Sequence, residues 1–466
     1  MGFFDGASTQ NNAIEKQQVE SLSKALFAGY GTDSATFVNG RAMIPENLEA
    51  TTINVIAAMK DDCKVLNSLK TVNVKSTVHE KNRRTSHGDW RFLTVPEGGA
   101  SVMTDQELER VIYLQKFIQT KRAITLQMEK VDTFEPAYAT EKIAGVEVVC
   151  KATEHNIFHG DSSIIPTEFD GFLASIRKSK DPTIIDLRGD TIGSRGESLF
   201  DEVAREVWER GGDLQKTLFP SILARDIKDL FTDRIRYEVG TKNFSFTEAL
   251  PPYFTAIGSN IKFTGDAAGP DKFYRVKGLV EAAGDAIERP LAPTSVALTP
   301  KASAAGSKFL AADAGDYKYV VHSVNAKGIS EGKNAAAAAT VAAGGSVSIT
   351  ITPDKSRPVT GLIICRSKVD GDDVMEMVQI PCGPDATTVH VDLNKDLPGT
   401  ASMLFLTETK IRPVYELGQL LPVSTYPLYP TDRAETPFLV IFFSALEVNA
   451  PEFCAIVDNI KYQGGF

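Results

Sequence analysis

Residues 291–404 differ from everything around them, and that difference limits what the rest of the chain can fold into. The block is rich in Ala, Ser, Thr, Val and Gly. It carries the short segments SVALT, YKYVVHSV, SVSITIT, GLIICRS, MEMVQI and TVHVDL, parted by turn clusters such as Ala343-Gly344-Gly345. Alternation at a period of two, with turns between, predicts an antiparallel β-sandwich. The stretch AAAAATVAA (335–343) has helical propensity, but its place between strand pairs predicts a small-residue strand. Beyond the block lie FLVIFFSALEV (438–448) and CAIVDNIKY (454–462). Strands this apolar must be buried in a sheet. The economical arrangement pairs them with strands that precede the block, which makes the sandwich an insertion.

Upstream, Ile14, Val19, Leu22, Leu26 and Phe27 predict an amphipathic helix over 14–28, stopped by Gly29-Tyr30-Gly31. A second helix is expected from Pro45 to about Met59. Residues 70–110 are long, polar and charged, which suits a β-hairpin that leaves its own subunit. In RAITLQME (122–129) the side chains of Ile124, Leu126 and Met128 alternate with polar ones and predict a half-buried strand. VIYLQKFIQ is expected as its neighbour, with a turn at Thr120-Lys121. A long helix is predicted over 136–158, with Ile143, Val146, Cys150 and Ile157 as its apolar stripe. From 160 to 290 strand and helix alternate: IIDL (184–187), a helix Ser198–Glu209 with Leu199, Val203 and Val207 in a row, and a short helix over 221–231. The fold class expected is α+β with an all-β insertion.

The chain has 466 residues and a formal net charge of -10, which argues against a surface built to grip nucleic acid. Its cysteines (Cys63, Cys150, Cys365, Cys382 and Cys454) include no C-x-x-C pair, as expected in a reducing compartment. MGFFDGASTQ does not read as a secretory signal, and the run Phe438–Leu446 is too short to cross a bilayer, so the cytosol is expected and no membrane partner. His155 and His159 stand four apart beside Glu154 and Asp161, as helical metal ligands would, but no third ligand follows at a persuasive spacing. They read as histidines at the negative end of a helix dipole. Gly189, Gly193 and Gly196 echo a nucleotide-binding turn at the wrong spacing, and Arg188-Gly189-Asp190 has no evident role in a cytosolic product. No nucleophile elbow, P-loop or H-E-x-x-H occurs; no cofactor, metal or enzymatic activity is expected.

The order of segments carries a resemblance. Ala28–Gly31 (AGYG), Ser86–Gly99 (SHGDWRFLTVPEGG), Ile112–Glu129, Phe158–Asp161 (FHGD), Glu168–Phe172 (EFDGF) and the ending Phe442–Tyr462 resemble, in order and spacing, tailed-phage major capsid proteins of the Twort-like group. The resemblance spans most of 20–290 and 405–462. It implies the HK-ninety-seven-type capsid fold: N-terminal arm and helices in 1–69, an extended loop in 70–110, and peripheral-domain strands with a spine helix in 111–160. An axial domain would follow in 161–290, then an inserted immunoglobulin- or fibronectin type III-like sandwich in 291–404. The chain would return to both shell domains in 405–466. YKYVVHSVNAKGIS, TGLIICRS and VDLNKDLPGT are similar to that sandwich module.

The function implied is self-assembly into hexamers and pentamers of an icosahedral head that encloses double-stranded DNA without reading its sequence. Portal and scaffold or maturation proteins are the partners implied, with a decoration or minor capsid protein at the insertion. Alternatives are an encapsulin-like nanocompartment shell and a β-sandwich adhesin. The loop carries Lys75, Lys81, Arg83, Arg84, His87 and Arg91 with Trp90, Phe92 and Leu93. These are the expected subunit contacts, the basic groups meeting an acidic neighbour and the apolar ones buried against it.

Overall fold

The structure, a computed structural model, describes residues 63–89, 91, 93–131, 137–231, 252–264, 268–408, 413–430 and 433–462. The helices expected over 14–28 and 45–59 lie outside the described residues, as do Trp90 and Phe92. Of the described residues, a smaller unit holds Cys63, Phe117–Thr153 and Leu420–Ser444, and a larger one holds the rest.

In the smaller unit the strand Lys116–Thr125 lies beside Glu435–Val448, whose other neighbour is Tyr415–Pro427. The strand expected over 122–129 begins earlier than that and ends sooner. It runs straight through Thr120-Lys121, and residues Leu126–Lys130 form a helical turn instead. The long helix is Ala137–His159. Of the expected stripe Cys150 and Ile157 are buried and Val146 is half-buried, but Ile143 is 62% exposed, and Val149, outside the stripe, is buried. Gly145 accounts for the departure at Ile143: a Cβ at 145 would come within 2.9 Å of Val440 Cγ2, so this part of the helix approaches the sheet along its smallest side chain. Tyr138 packs edge-on against Phe438 at 5.3 Å, Phe117 against Phe443 at 4.7 Å, and Arg122 bonds Glu141 at 2.5 Å.

In the larger unit a five-stranded mixed sheet runs Thr183–Asp186, Ala455–Ile460, Ala401–Thr407, Leu214–Pro220 and Gly269–Asp271. The chain's last strand pairs parallel to Thr183–Asp186, which precedes the sandwich block, and antiparallel to Ala401–Thr407, which follows it. The two apolar terminal strands thus enter different sheets. The helix Ser198–Glu209 covers the five-stranded sheet with Leu199, Phe200, Val203, Ala204 and Val207. Phe200 meets Phe231, Tyr253, Phe263 and Phe405 in an aromatic cluster at 5.3–6.1 Å.

Between leaving that sheet at Asp271 and returning at Ala401, the chain builds two larger antiparallel sheets and a short two-stranded one around their own core. One larger sheet contains Tyr319–Asn325, Gly361–Ser367 and Val374–Pro381; the other is Ser295–Lys301, Ser346–Thr352 and Thr388–Asp392. Tyr319, Val321, Leu362, Ile364 and Met377 from the first meet Val296, Val347, Ile349 and Ile351 from the second. In the alanine-rich stretch Ala339–Val341 is a strand, paired with Gly315–Tyr317. A buried polar group ties the sheets together: Arg366 bonds Asp392 at 2.6 Å and Asn394 at 2.6 Å, Tyr319 donates to Asp392 at 2.8 Å, and the guanidinium lies over the rings of Phe309 and Tyr317. Both terminal guanidinium nitrogens are partnered while Nε is left without an acceptor, so the pair is buried at a reduced desolvation penalty.

Candidate subunit interface

The segment that the sequence marks as reaching outward is a two-stranded ribbon. Val78–Ser86 pairs antiparallel with Glu107–Leu114, and among the described residues neither strand has another partner. The break in this part of the chain falls at Gln115, between the ribbon and Lys116–Thr125, and not at 120–121. Strand alternation gives the ribbon two unlike faces.

One face is anchored. His79 Nδ1 lies 2.7 Å from Glu447 Oε1, and Lys81 Nζ lies 2.5 Å from Glu447 Oε2 and also bonds Glu416. Tyr113, opposite His79, donates to the Val448 carbonyl at 2.7 Å, and Asn449 donates to Glu416 at 3.2 Å. Burial first, then the Glu447 charge, pushes the Tyr113 hydroxyl well above its ordinary range, so it stays a donor. The Glu447 side chain is fully buried, and only a glycine at 418 leaves room for its carboxylate: a Cβ there would overlap Oε1. A buried carboxylate is tolerated only with cations and donors around it, and this one has them.

Among the described residues nothing covers the other face. Val78 opposes Leu114, Glu80 opposes Ile112, Asn82 opposes Arg110 and Arg84 opposes Leu108. Leu108, Ile112 and Leu114 are 57%, 54% and 52% exposed and Val78 is 41% exposed, an apolar stripe broken by the Arg110–Glu80 ion pair.

Of the basic side chains expected to meet a neighbour, Lys81 is taken up by the anchor and Arg83 bonds Glu109 across the ribbon at 2.5 Å. Lys75, Arg84 and His87 are exposed, Leu93 is 49% exposed, and the Arg91 backbone N–H bonds Asp89 at 2.9 Å. The return strand brings Glu107 and Glu109, so the ribbon is less basic than its outgoing half suggests. Sequence reasoning missed Leu108, Ile112 and Leu114, although ELERVIYL shows the period-two signal. It also missed Glu416 and Glu447, which no local signal marks.

The remaining motifs have local structural roles. His159 Nε2 accepts the Arg275 backbone N–H at 2.8 Å. Burial, then the neighbouring His155 and Arg275, holds His159 well below the usual histidine range; burial and Arg275 do the same to His155 more weakly. Among the described residues no group of three or more His, Cys, Asp or Glu is arranged to hold a metal. Arg188-Gly189 makes a left-handed turn after Thr183–Asp186, and Arg188 donates to the Lys308 carbonyl.

Comparison with known proteins gives the fold a context. No family model matches the chain. It is 23% identical over 462 residues to the major capsid protein of Staphylococcus phage K, covering 95% of both chains. It is 24% identical over 483 residues to a candidate major capsid protein of Enterococcus phage phiEF24C, covering 97% of this chain and 98% of that one. Among solved structures it is similar to the capsid of a native GTA particle (TM-score 0.44, 10% identity, 92% of this chain and 99% of that one). It is also similar to the holo-SrpI encapsulin complex of Synechococcus elongatus (TM-score 0.42, 12% identity, 92% and 96%). Over nearly its whole length, this chain is similar to the major capsid proteins of staphylococcal and enterococcal phages.

Proposed function

We propose that the chain is the major capsid protein of a tailed-phage head, a structural subunit and not an enzyme. The observation that carries this is the end-to-end similarity to phage capsid proteins, at 95% coverage of both partners. A fragmentary match would fit a shared module; a match across both shell blocks and the block between them fits the same kind of whole protein. The subunit works by repetition. Each presents one patch that fits a different patch on the next, a heterologous contact that closes into rings when the rotation closes.

The ribbon is the segment that reaches the neighbouring subunit. Its inner face is fixed to its own chain through Glu447 and Glu416, and its outer face offers Val78, Leu108, Ile112 and Leu114. Lys75, Arg84, His87 and Leu93 would lie at the same contact, where exposed charges contribute only about 0–1 kcal/mol each and apolar burial does most of the work. The helix Ala137–His159 serves as the spine of the peripheral domain, and the five-stranded sheet belongs to the axial domain. The sandwich is an immunoglobulin-like insertion. Its two facing sheets around a shared core support this. Deleting 75–97 together with Glu447→Gln, which removes the carboxylate that would otherwise lose His79 and Lys81, should leave a folded subunit that no longer closes shells. Ordinary particles from that deletion in electron micrographs would overturn the role of the ribbon.

A further inference from the structure

The ribbon's stem, residues 64–74, is held to the larger unit at two places. Thr71–Asn73 pairs parallel with Leu417–Gln419, a backbone contact. The second hold is a side chain. Glu154, fully buried, accepts the Val65 N–H at 2.8 Å on one carboxyl oxygen and the Leu66 N–H at 2.7 Å on the other. The same carboxyl is hydrogen-bonded to Asp271, which is 4% exposed and whose own Oδ1 accepts the Phe273 N–H at 2.8 Å. Two carboxyl groups in contact and out of water cannot both carry charge, so one proton lies between them. The other charged groups facing the pair are Lys64 from the stem and Lys272 from the end of the strand, both acting on Asp271; His155 is the next residue along Glu154's own helix.

We infer that Glu154 and Asp271 form a proton-sharing joint that fastens the ribbon's stem, and that removing the shared proton loosens it. Burial, then the Asp271 charge, pushes Glu154 up to about 8, outweighing the two backbone N–H groups that favour its ionised form. Burial raises Asp271 too. A carboxyl whose value is raised in the folded protein adds stability that is complete below its unfolded value, near 4.5, and is lost as pH rises through the folded value near 8. For one proton the opening equilibrium of the stem then rises with pH by at most about tenfold per unit, and levels off above that value. Acid fastens the ribbon's root and mild alkali frees it.

The joint is a property of the subunit, while its consequence for shell contacts rests on the reading of the chain as a capsid protein. Hydrogen exchange on the purified full-length subunit, from pH 5.5 to 9 and corrected for intrinsic exchange, tests the joint without shells. Peptides covering 63–74 should open severalfold more per pH unit up to about 8 and no further. Glu154→Gln keeps one of the two acceptors for the stem and has an N–H for Asp271, so the stem should open more at every pH but with a flattened slope; Asp271→Asn should weaken the slope. A flat wild-type slope, or the same slope in both variants, overturns the inference. Failure of the capsid reading would appear separately, as an absence of shells at every pH.

Discussion

Replacing Leu108, Ile112 and Leu114 together by serine isolates the ribbon's outer face. Full burial of a Leu or Ile side chain contributes about 1.5–3 kcal/mol. These three are a little over half exposed, so about 1 kcal/mol each remains to be gained at a neighbour, or about 3 kcal/mol per contact. At about 1.4 kcal/mol per tenfold, the concentration at which subunits assemble should rise by roughly two orders of magnitude. None of the three faces the anchor at Glu447, so the isolated subunit should melt within about 0.5 kcal/mol of wild type. Light scattering across a concentration series, beside circular dichroism of the dilute subunit, reads both quantities. Assembly of the variant at the wild-type concentration would refute the reasoning, and so would loss of the fold, which would mean that the stripe is part of the subunit's own core.

Other perturbations probe the supports. Arg366→Met leaves Asp392 buried with no cation and should destabilise the sandwich by about 3–5 kcal/mol in urea unfolding, and Arg366→Met with Asp392→Leu should recover much of that. Gly418→Ala drives a methyl group into the Glu447 carboxylate and should loosen the ribbon's base, seen as faster exchange in 78–86 and 107–114 with the five-stranded sheet unchanged. Burial alone would raise Asp170, but bonds from Lys178 and the Ser162 N–H hold it below its ordinary value. Its contribution is therefore present above about pH 3.9 and lost as pH falls through the lower folded value. Limited proteolysis of 160–178 should accelerate only in strong acid, and Lys178→Met should bring that acceleration to milder acid.

Local patterns were legible in the sequence where short-range physics decides. Ser346–Thr352 alternates because it buries one face, and Ser198–Glu209 shows its row of Leu199, Val203 and Val207 because those residues cover a sheet. The long helix and the buried Cys150 and Ile157 of its stripe were legible, but Ile143 was wrongly expected inside, because Gly145 sets the contact there and a glycine carries no hydrophobic signal. The strand break at Gln115 was hidden because apolar alternation continues on both sides of it. Least visible was the ribbon's anchor: Glu447 is separated from His79 by 368 residues, and a lone glutamate in an apolar strand has no local explanation. The basic residues were read as facing outward because Glu416 and Glu447 lie far outside 70–110, and Glu109 meets Arg83 only through the pairing of the return strand.

The central claim is that this chain builds shells, and electron microscopy of the purified full-length protein across a concentration series tests it most directly. Icosahedral shells, or the hexamers and pentamers from which they are made, are the result expected. A subunit that stays monomeric at every concentration would contradict the account.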